Sequence, residues 1–249
     1  MSGIRRIVSC LVSLEVQAVA VWLGRRPIGA KMSWELDHVF FATADPEGAE
    51  RAFERVGITF DRRTIHAGQG TANASARFEN AFVEILCAHD PAELRSDLVR
   101  PLGLSERIRW RETGACPFGL CFRPTVAAEE ASRPFTTWPY AAAYLPAGAN
   151  IPIVTPRGAL AEPLVFLSGD PAPAWRTKRN GLRRRLTGIR IRRPAAPNVP
   201  LSAGVRWFSD RGLFVVEDGG DHQLELEWDD GCHSQMSSLA PETPIDLRW

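Results

Sequence analysis

Trp34-Glu35-Leu36-Asp37-His38-Val39-Phe40-Phe41 and Ala81-Phe82-Val83-Glu84-Ile85-Leu86 are two apolar runs, each with an ionisable side chain set into an apolar face. Alternate residues of an extended strand share a face, which puts Trp34, Leu36, His38 and Phe40 together and, in the second run, Phe82, Glu84 and Leu86. If the runs pair, His38 and Glu84 meet inside a greasy pocket. A buried histidine or carboxylate reverts to its neutral form unless a partner or a metal ion compensates for the lost water. His38 and Glu84 are therefore the candidate catalytic pair, read either as ligands of one divalent ion or as two groups hydrogen-bonded to one another. Without an ion, apolar surroundings raise the Glu84 pKa toward the range of a general base.

The flanking pattern is regular. Asp45-Pro46 ends the first run, and Ala49, Ala52, Phe53 and Val56 recur at helical spacing up to Gly57. Ile58 to Arg63, Ala74 to Phe78 and Ala81 to Ala88 read as three more strands, so the order is β-α-β-β-β. Between the second and third lies His66-Ala67-Gly68-Gln69-Gly70-Thr71-Ala72-Asn73, which has neither the glycine spacing of a dinucleotide fingerprint nor the Lys-Ser/Thr of a phosphate loop. Its polar side chains make His66, Gln69, Thr71 and Asn73 candidate substrate contacts, whereas a purely structural turn would need one of its two glycines. His66, or His89 just beyond the fourth strand, is the candidate third metal ligand.

Asp90 to Glu112 reads as short helices capping the sheet, and Cys116 to Pro124 and Pro163 to Leu167 as further strands. Between those strands, Pro134-Phe135-Thr136-Thr137-Trp138-Pro139-Tyr140 is aromatic and aperiodic, either a cover closing over a ligand or rings lining a core edge. Trp138, Tyr140 and Arg123 complete the candidate substrate-binding set. Leu186 to Ile191, Leu213 to Val216 and Gln223 to Trp228 read as strands, with a short segment at Val205 to Phe208, and the chain from Ser234 onward as a polar, weakly structured tail. Strand motifs recur: Asp37-His38-Val39-Phe40, Phe118-Gly119-Leu120-Cys121 and Thr187-Gly188-Ile189-Arg190 superpose, as do Phe82 to Leu86 before Asp90-Pro91 and Leu164 to Leu167 before Asp170-Pro171. The chain divides accordingly into an extension (1–31), a first module with capping helices (32–112), a degenerate second module (113–175), a third partial module (176–233) and a tail (234–249).

Thirty Lys and Arg against 29 Asp and Glu give a net charge of +1, which supplies no long-range field for nucleic acid or an anionic membrane. The basic run Arg176 to Arg185 has no interleaved aromatic residues and reads as a solvated connector. Five scattered cysteines without a C-x-x-C pair point to reduced thiols and a cytoplasmic setting. Residues 1–31 leave a choice open: Arg5-Arg6 precede an apolar run broken by Glu15 and Gln17, which reads as a non-native extension ahead of Met32, as an export signal cleaved near Ala18-Val19-Ala20, or as an anchor. No G-x-S-x-G stretch marks a hydrolase nucleophile, and neither Cys87 nor Cys232 lies in a nucleophile motif.

Leu36-Asp37-His38-Val39, the His66-x-Gly68-x-Gly70-Thr71-x-Asn73 loop, Phe82 to Leu86 with Asp90-Pro91, and Leu186-Thr187-Gly188-Ile189 resemble the glyoxalase-like members of the vicinal-oxygen-chelate superfamily. The resemblance spans about Trp34 to Trp228. It implies an α+β fold in which repeated β-α-β-β-β modules form curved mixed sheets around a cleft, a small-molecule ligand, and a homodimer among the assemblies it allows. In metal-dependent members it implies one divalent ion (iron, manganese, zinc or nickel) held by His, Glu or Gln on the first and last strands of the modules. His38 and Glu84 match two such positions. The second-module counterparts, Gly119 and Val165 or Phe166, offer no donor, and in the third copy Gly188 and Glu225 fall on strands that look half-exposed. The function implied is metal-dependent lyase, isomerase or dioxygenase-type chemistry on a small substrate; the alternative is a metal-free protein that binds or sequesters a small molecule.

Overall fold

The computed structural model describes residues 34–125, 133–169, 184–195 and 199–249. The extension at residues 1–31 and most of the basic connector lie outside them. The first half of the larger sheet contains β1 (Trp34–Ala42), α1 (Pro46–Glu54), β2 (Arg62–His66), β3 (Thr71–Arg77) and β4 (Phe82–Ala88). Short helices α2 (Pro91–Leu94), α3 (Leu104–Ile108) and α4 (Trp110–Thr113) lead into the second half: β5 (Phe118–Pro124), β6 (Trp138–Tyr140), β7 (Ile151–Ile153) and β8 (Leu164–Leu167). The eight strands lie in the order β2-β3-β4-β1-β5-β8-β7-β6.

The repeat read from sequence is a repeat of pairing. β1 runs parallel to β4, β4 antiparallel to β3, and β3 antiparallel to β2. β5, β8, β7 and β6 copy that arrangement, and β1 and β5 meet antiparallel at the centre. A β-α-β-β-β half and its relative are thus joined into one curved mixed sheet.

Local sequence explains the first half well. Asp45 caps α1 by accepting a hydrogen bond from the Gly48 N–H at 2.9 Å, and Pro46 fits the first turn, where no N–H is needed. Ala49, Ala52 and Phe53 then bury against Val83 and Ile85 of β4. The second strand begins later than Ile58, at Arg62. Ile58 and Phe60 are buried in the core beneath the connection, so their apolar character serves packing and not strand pairing.

A bulge between Leu36 and His38 changes the face on which β1 residues fall. Simple alternation groups Trp34, Leu36, His38 and Phe40. Instead, one extra residue in β1 reverses the phase, as a β-bulge does. Trp34 and Leu36 join Val39 and Phe41 in the core shared by both sheets, while Phe40 and Ala42 face the opposite, inner side. On that inner side Phe40, Ala42 and Leu86 pack with Leu94, Leu102, Leu104 and Ile108 from the helical segment, and with Tyr140, Ile153 and Leu164 from the second half. One end of the inner face is therefore filled by hydrocarbon.

The second sheet contains β9 (Leu186–Arg193), α5 (Ala203–Asp210), β10 (Val215–Asp218), β11 (Gln223–Trp228), β12 (Met236–Ser238) and β13 (Ile245–Arg248), with strand order β10-β9-β11-β13-β12. The element order of the module recurs here, but β10 lies parallel beside β9, unlike β2 in the first half. The tail is not weakly structured: β13 runs parallel to β11, and Leu239, Ile245 and Leu247 are buried in the main core. Val205 to Phe208 belongs to a helix whose Phe208 packs on Trp34 and Phe122, with ring centroids 5.7 and 4.5 Å away.

Candidate functional site

Beyond Phe40 the inner face becomes polar. Glu84 stands opposite Ser75 of β3 and Phe40 of β1, and its Oε1 accepts a hydrogen bond from Asn73 Nδ2 at 2.6 Å. Its carboxyl group is buried, and this burial raises its pKa against the lowering influence of His38 and the Asn73 hydrogen bond. Asn73 Oδ1 is buried too and finds no partner among the described residues.

His38 does not reach Glu84 by hydrogen bond; it is held by its own neighbour. The bulge places Asp37 Oδ1 2.7 Å from His38 Nδ1, and Asp37 Oδ2 accepts from Arg123 Nη1. Arg123 also donates to Glu35 Oε1 at 2.8 Å and to the Asn80 carbonyl at 3.0 Å, and its side chain is fully buried. The imidazole stacks on Phe82 at 4.4 Å between centroids and meets Phe166 edge-on at 5.4 Å. Burial disfavours its charged form, but the charges of Cys121 and Glu84 and the hydrogen bond to Asp37 outweigh this and hold its pKa well above the ordinary value. For Asp37, burial is likewise overcome by His38 and Arg123, so its pKa is lowered.

The residues named from sequence thus separate into groups. Glu84, His38 and Asn73 come together on the inner face. Thr71 is fully buried, and its Oγ1 lies 2.9 Å from His66 Nδ1 and accepts from Gln69 Nε2 at 2.7 Å, so it organises the turn between β2 and β3. His66 ends β2 instead of lying in a free loop; burial and the nearby positive charge of His38 push its pKa down to about 4. Arg123 is engaged in the ion pairs that hold Asp37. Trp138 donates from Nε1 to the Thr155 carbonyl at 2.9 Å and carries the Arg157 guanidinium over its ring. Tyr140 is buried in the inner apolar cluster, its hydroxyl without a partner among the described residues. His89 is exposed.

Both loop glycines have structural duties, contrary to the expectation that a plain turn needs one. Each has φ of +77°. A Cβ on Gly68 would come within 2.4 Å of Ala143, and one on Gly70 within 2.4 Å of the Asp90 carbonyl oxygen. Their N–H groups donate to Glu93 Oε2 at 2.7 and 3.1 Å.

Three residues were missed. Asp37 seemed to point away from His38 because alternation hides the bulge. Cys121 pairs directly with His38 across the central strands, whereas the matched opening strands set His38 over Gly119. Tyr144, in the segment after β6, has its hydroxyl 3.4 Å from Gln69 Oε1 and its ring 5.1 Å from that of His66. Burial, then the charges of Glu84 and Cys121, push its pKa up to about 12. No motif marks Tyr144 in the sequence.

The four-donor chelate implied by the resemblance does not fit these residues. Two of its positions fall at Gly119 and Phe166, and the space beside Gly119 is filled by the Phe40 ring, which would lie 2.0 Å from an added Cβ. Among the described residues, the group of three or more donors close enough to share an ion is Asp37, His38 and Cys121; neither Glu84 nor His66 belongs to it.

Two pseudo-equivalent halves joined antiparallel at their first strands, with polar residues gathered on the inner face, define the vicinal-oxygen-chelate class of fold. Residues 36–151 match the family model described as a glyoxalase-like domain. Over that stretch the chain is similar to a glyoxalase-like domain. A hypothetical protein from Staphylococcus aureus has a similar fold, with 11% identity and a TM-score of 0.54 over 87% of this chain and 98% of that one. A hypothetical protein from Bacillus halodurans C-125 aligns at 15% identity and a TM-score of 0.40, covering 57% of this chain and 99% of its own. Methylmalonyl-CoA epimerase from Mycobacterium tuberculosis aligns at 18% identity and a TM-score of 0.35, covering 61% and 98%. No curated protein matches the chain. No helix among the described residues is long and apolar enough to cross a membrane.

Proposed function

We propose that this chain binds a small molecule with an apolar body and a polar oxygen function on the inner face of its larger sheet, and that Glu84 exchanges a proton with it. The observation that carries the proposal is the Glu84–Asn73 pair: a buried carboxyl with a raised pKa, fixed by an amide whose own oxygen lacks a partner. A buried carboxyl group whose pKa is raised in this way is suited to act as general acid or base. Phe82 and Phe166 supply apolar walls around the His38 ring on the same face. Proton transfer of this kind is the step shared by isomerase and lyase chemistry, and a binding protein would use the same contacts without turnover. Cys87, Cys116, Cys121 and Cys232 form no disulfide among the described residues, and scattered thiols of this kind are the ground for reading the setting as cytoplasmic.

Thermal-shift screening with small aromatic and dicarbonyl compounds tests this. A ligand at 100 times its dissociation constant stabilises by about 2.7 kcal/mol. Compounds that stabilise the wild-type chain should lose most of that effect on Glu84→Gln, and conversion of a bound compound separates enzyme from binder. Equal stabilisation of both forms would remove Glu84 from the account.

A further inference from the structure

His38 on β1 and Cys121 on β5 are register partners at the centre of the sheet, and the bulge brings Asp37 to the same place. One donor atom from each, a carboxylate oxygen, an imidazole nitrogen and a thiol sulfur, all lie within 4.8 Å of one another. A tetrahedral ion with ligand distances of about 2.0 to 2.3 Å sets its donors roughly 3.3 to 3.8 Å apart, so a small adjustment suffices.

The surroundings support such a use. Arg123 grips Asp37 Oδ2 and leaves Oδ1 turned toward the imidazole, and Arg123 is itself fixed by Glu35 and Asn80. Partners that orient a ligand from behind in this way accompany metal sites. Cys121 is buried but belongs to neither apolar cluster, whereas Cys116 packs inside the first. Its sulfur shares its surroundings with Asp37, His38 and Glu84.

We propose that Asp37, His38 and Cys121 bind a thiophilic divalent ion, zinc in preference to manganese or iron, at a place displaced toward β5 from the chelate of the fold family. A thiolate donor selects for soft and borderline ions, and three protein donors leave one position open for water or an oxygen ligand. Binding displaces the thiol proton and the proton between Asp37 and His38, so it releases protons. The site goes beyond the Glu84 proposal and uses none of its atoms.

Cadmium and cobalt are the probes, added to the full chain in which the exposed Cys232, which adjoins His233, and Cys10 are replaced by serine. One equivalent of cadmium should bind with a thiolate-to-cadmium absorption band, and cobalt should give the intense visible spectrum of a tetrahedral sulfur-containing site. Cys121→Ser should abolish the band and weaken binding by about 100-fold or more, beyond the 10–100-fold typical of outer-shell partners. His38→Gln provides a second variant and should also lose binding, with circular dichroism used to confirm that both are folded. Glu84→Gln should keep the band while losing the small-molecule effect, so the two proposals fail separately. Absence of the band in the parent chain, or its persistence in folded Cys121→Ser, overturns the zinc site.

Discussion

Arg123→Met tests the ion network behind His38 most sharply. The guanidinium is fully buried and serves Asp37, Glu35 and the Asn80 carbonyl, while Asp37 itself is largely buried. Methionine fills much of the same volume, so packing changes little. What changes is that Asp37 keeps its charge with no cation except His38 beside it. Removing one partner of a buried pair costs about 3 to 5 kcal/mol, because the remaining charge stays dehydrated. In a chain of this size each kcal/mol lowers Tm by about 2 to 4 °C, so the expected fall is roughly 6 to 20 °C. Urea titration gives the free energy directly, and Asp37→Asn alone and combined with Arg123→Met completes a cycle. The paired change should be less damaging than the sum of its parts. A loss below about 1 kcal/mol for Arg123→Met, or strict additivity, would refute the idea that this pair is a coupled buried unit.

Gly119→Ala should destabilise by at least about 1 to 3 kcal/mol, the usual range for overpacking, and Phe40→Leu should recover part of it, because the added Cβ meets the Phe40 ring at 2.0 Å; denaturant curves of the single and double variants decide. Truncation after His233 removes β13, and with Leu239, Ile245 and Leu247 worth about 1.5 to 3 kcal/mol each the shortened chain should fail to give a cooperative thermal transition. His66, with a folded pKa of about 4 against 6.5, should make stability decline as pH falls from 6.5 toward 4, since the unfolded chain takes up the proton first; His66→Gln should flatten that part of the profile. Glu84 has the opposite sign: its raised folded pKa means that stability is lost as pH rises above about 4.5, so Glu84→Gln should be the more stable protein at pH 7 in chemical denaturation.

The helix and most strands of the first half were legible because period and punctuation agree there: Asp45-Pro46 opens α1, and Phe82 to Leu86 is a short apolar run interrupted by Glu84. The doubled pairing was legible as matched strand motifs. Other features were hidden for identifiable reasons. Ile58 and Phe60 look like a strand because core plugs and strands share apolar composition. The tail looked polar because its many turn residues outweigh the short alternation Ile245-Asp246-Leu247-Arg248, which is all that β13 needs to pair with β11. At the site, Glu84 could be placed because it interrupts a short apolar strand, whereas Asn73, a loop residue by composition, lies on β3 opposite Leu86. Asp37 could not be placed, since a bulge leaves no mark in composition and inverts the face of every residue before it.

That bulge also accounts for how a chain with two of four chelate positions can still keep an ordered polar centre. In regular β1, Asp37 would face the core containing Val39 and Phe41, where a carboxylate would be dehydrated without gain. The extra residue brings it against His38 and within reach of Arg123, itself sequestered at the β1–β5 seam. Across that seam Gly119 admits the Phe40 ring and Cys121 faces His38, so aromatic packing takes one chelate position while a thiol appears two residues along. The donors Asp37, His38 and Cys121 thus gather at the central strands, and the hydrogen-bonded Glu84 and Asn73 stand apart from them on the first half. Separable effects of Cys121→Ser and Glu84→Gln, one on ion binding and the other on small-molecule binding, are the direct consequence of that division.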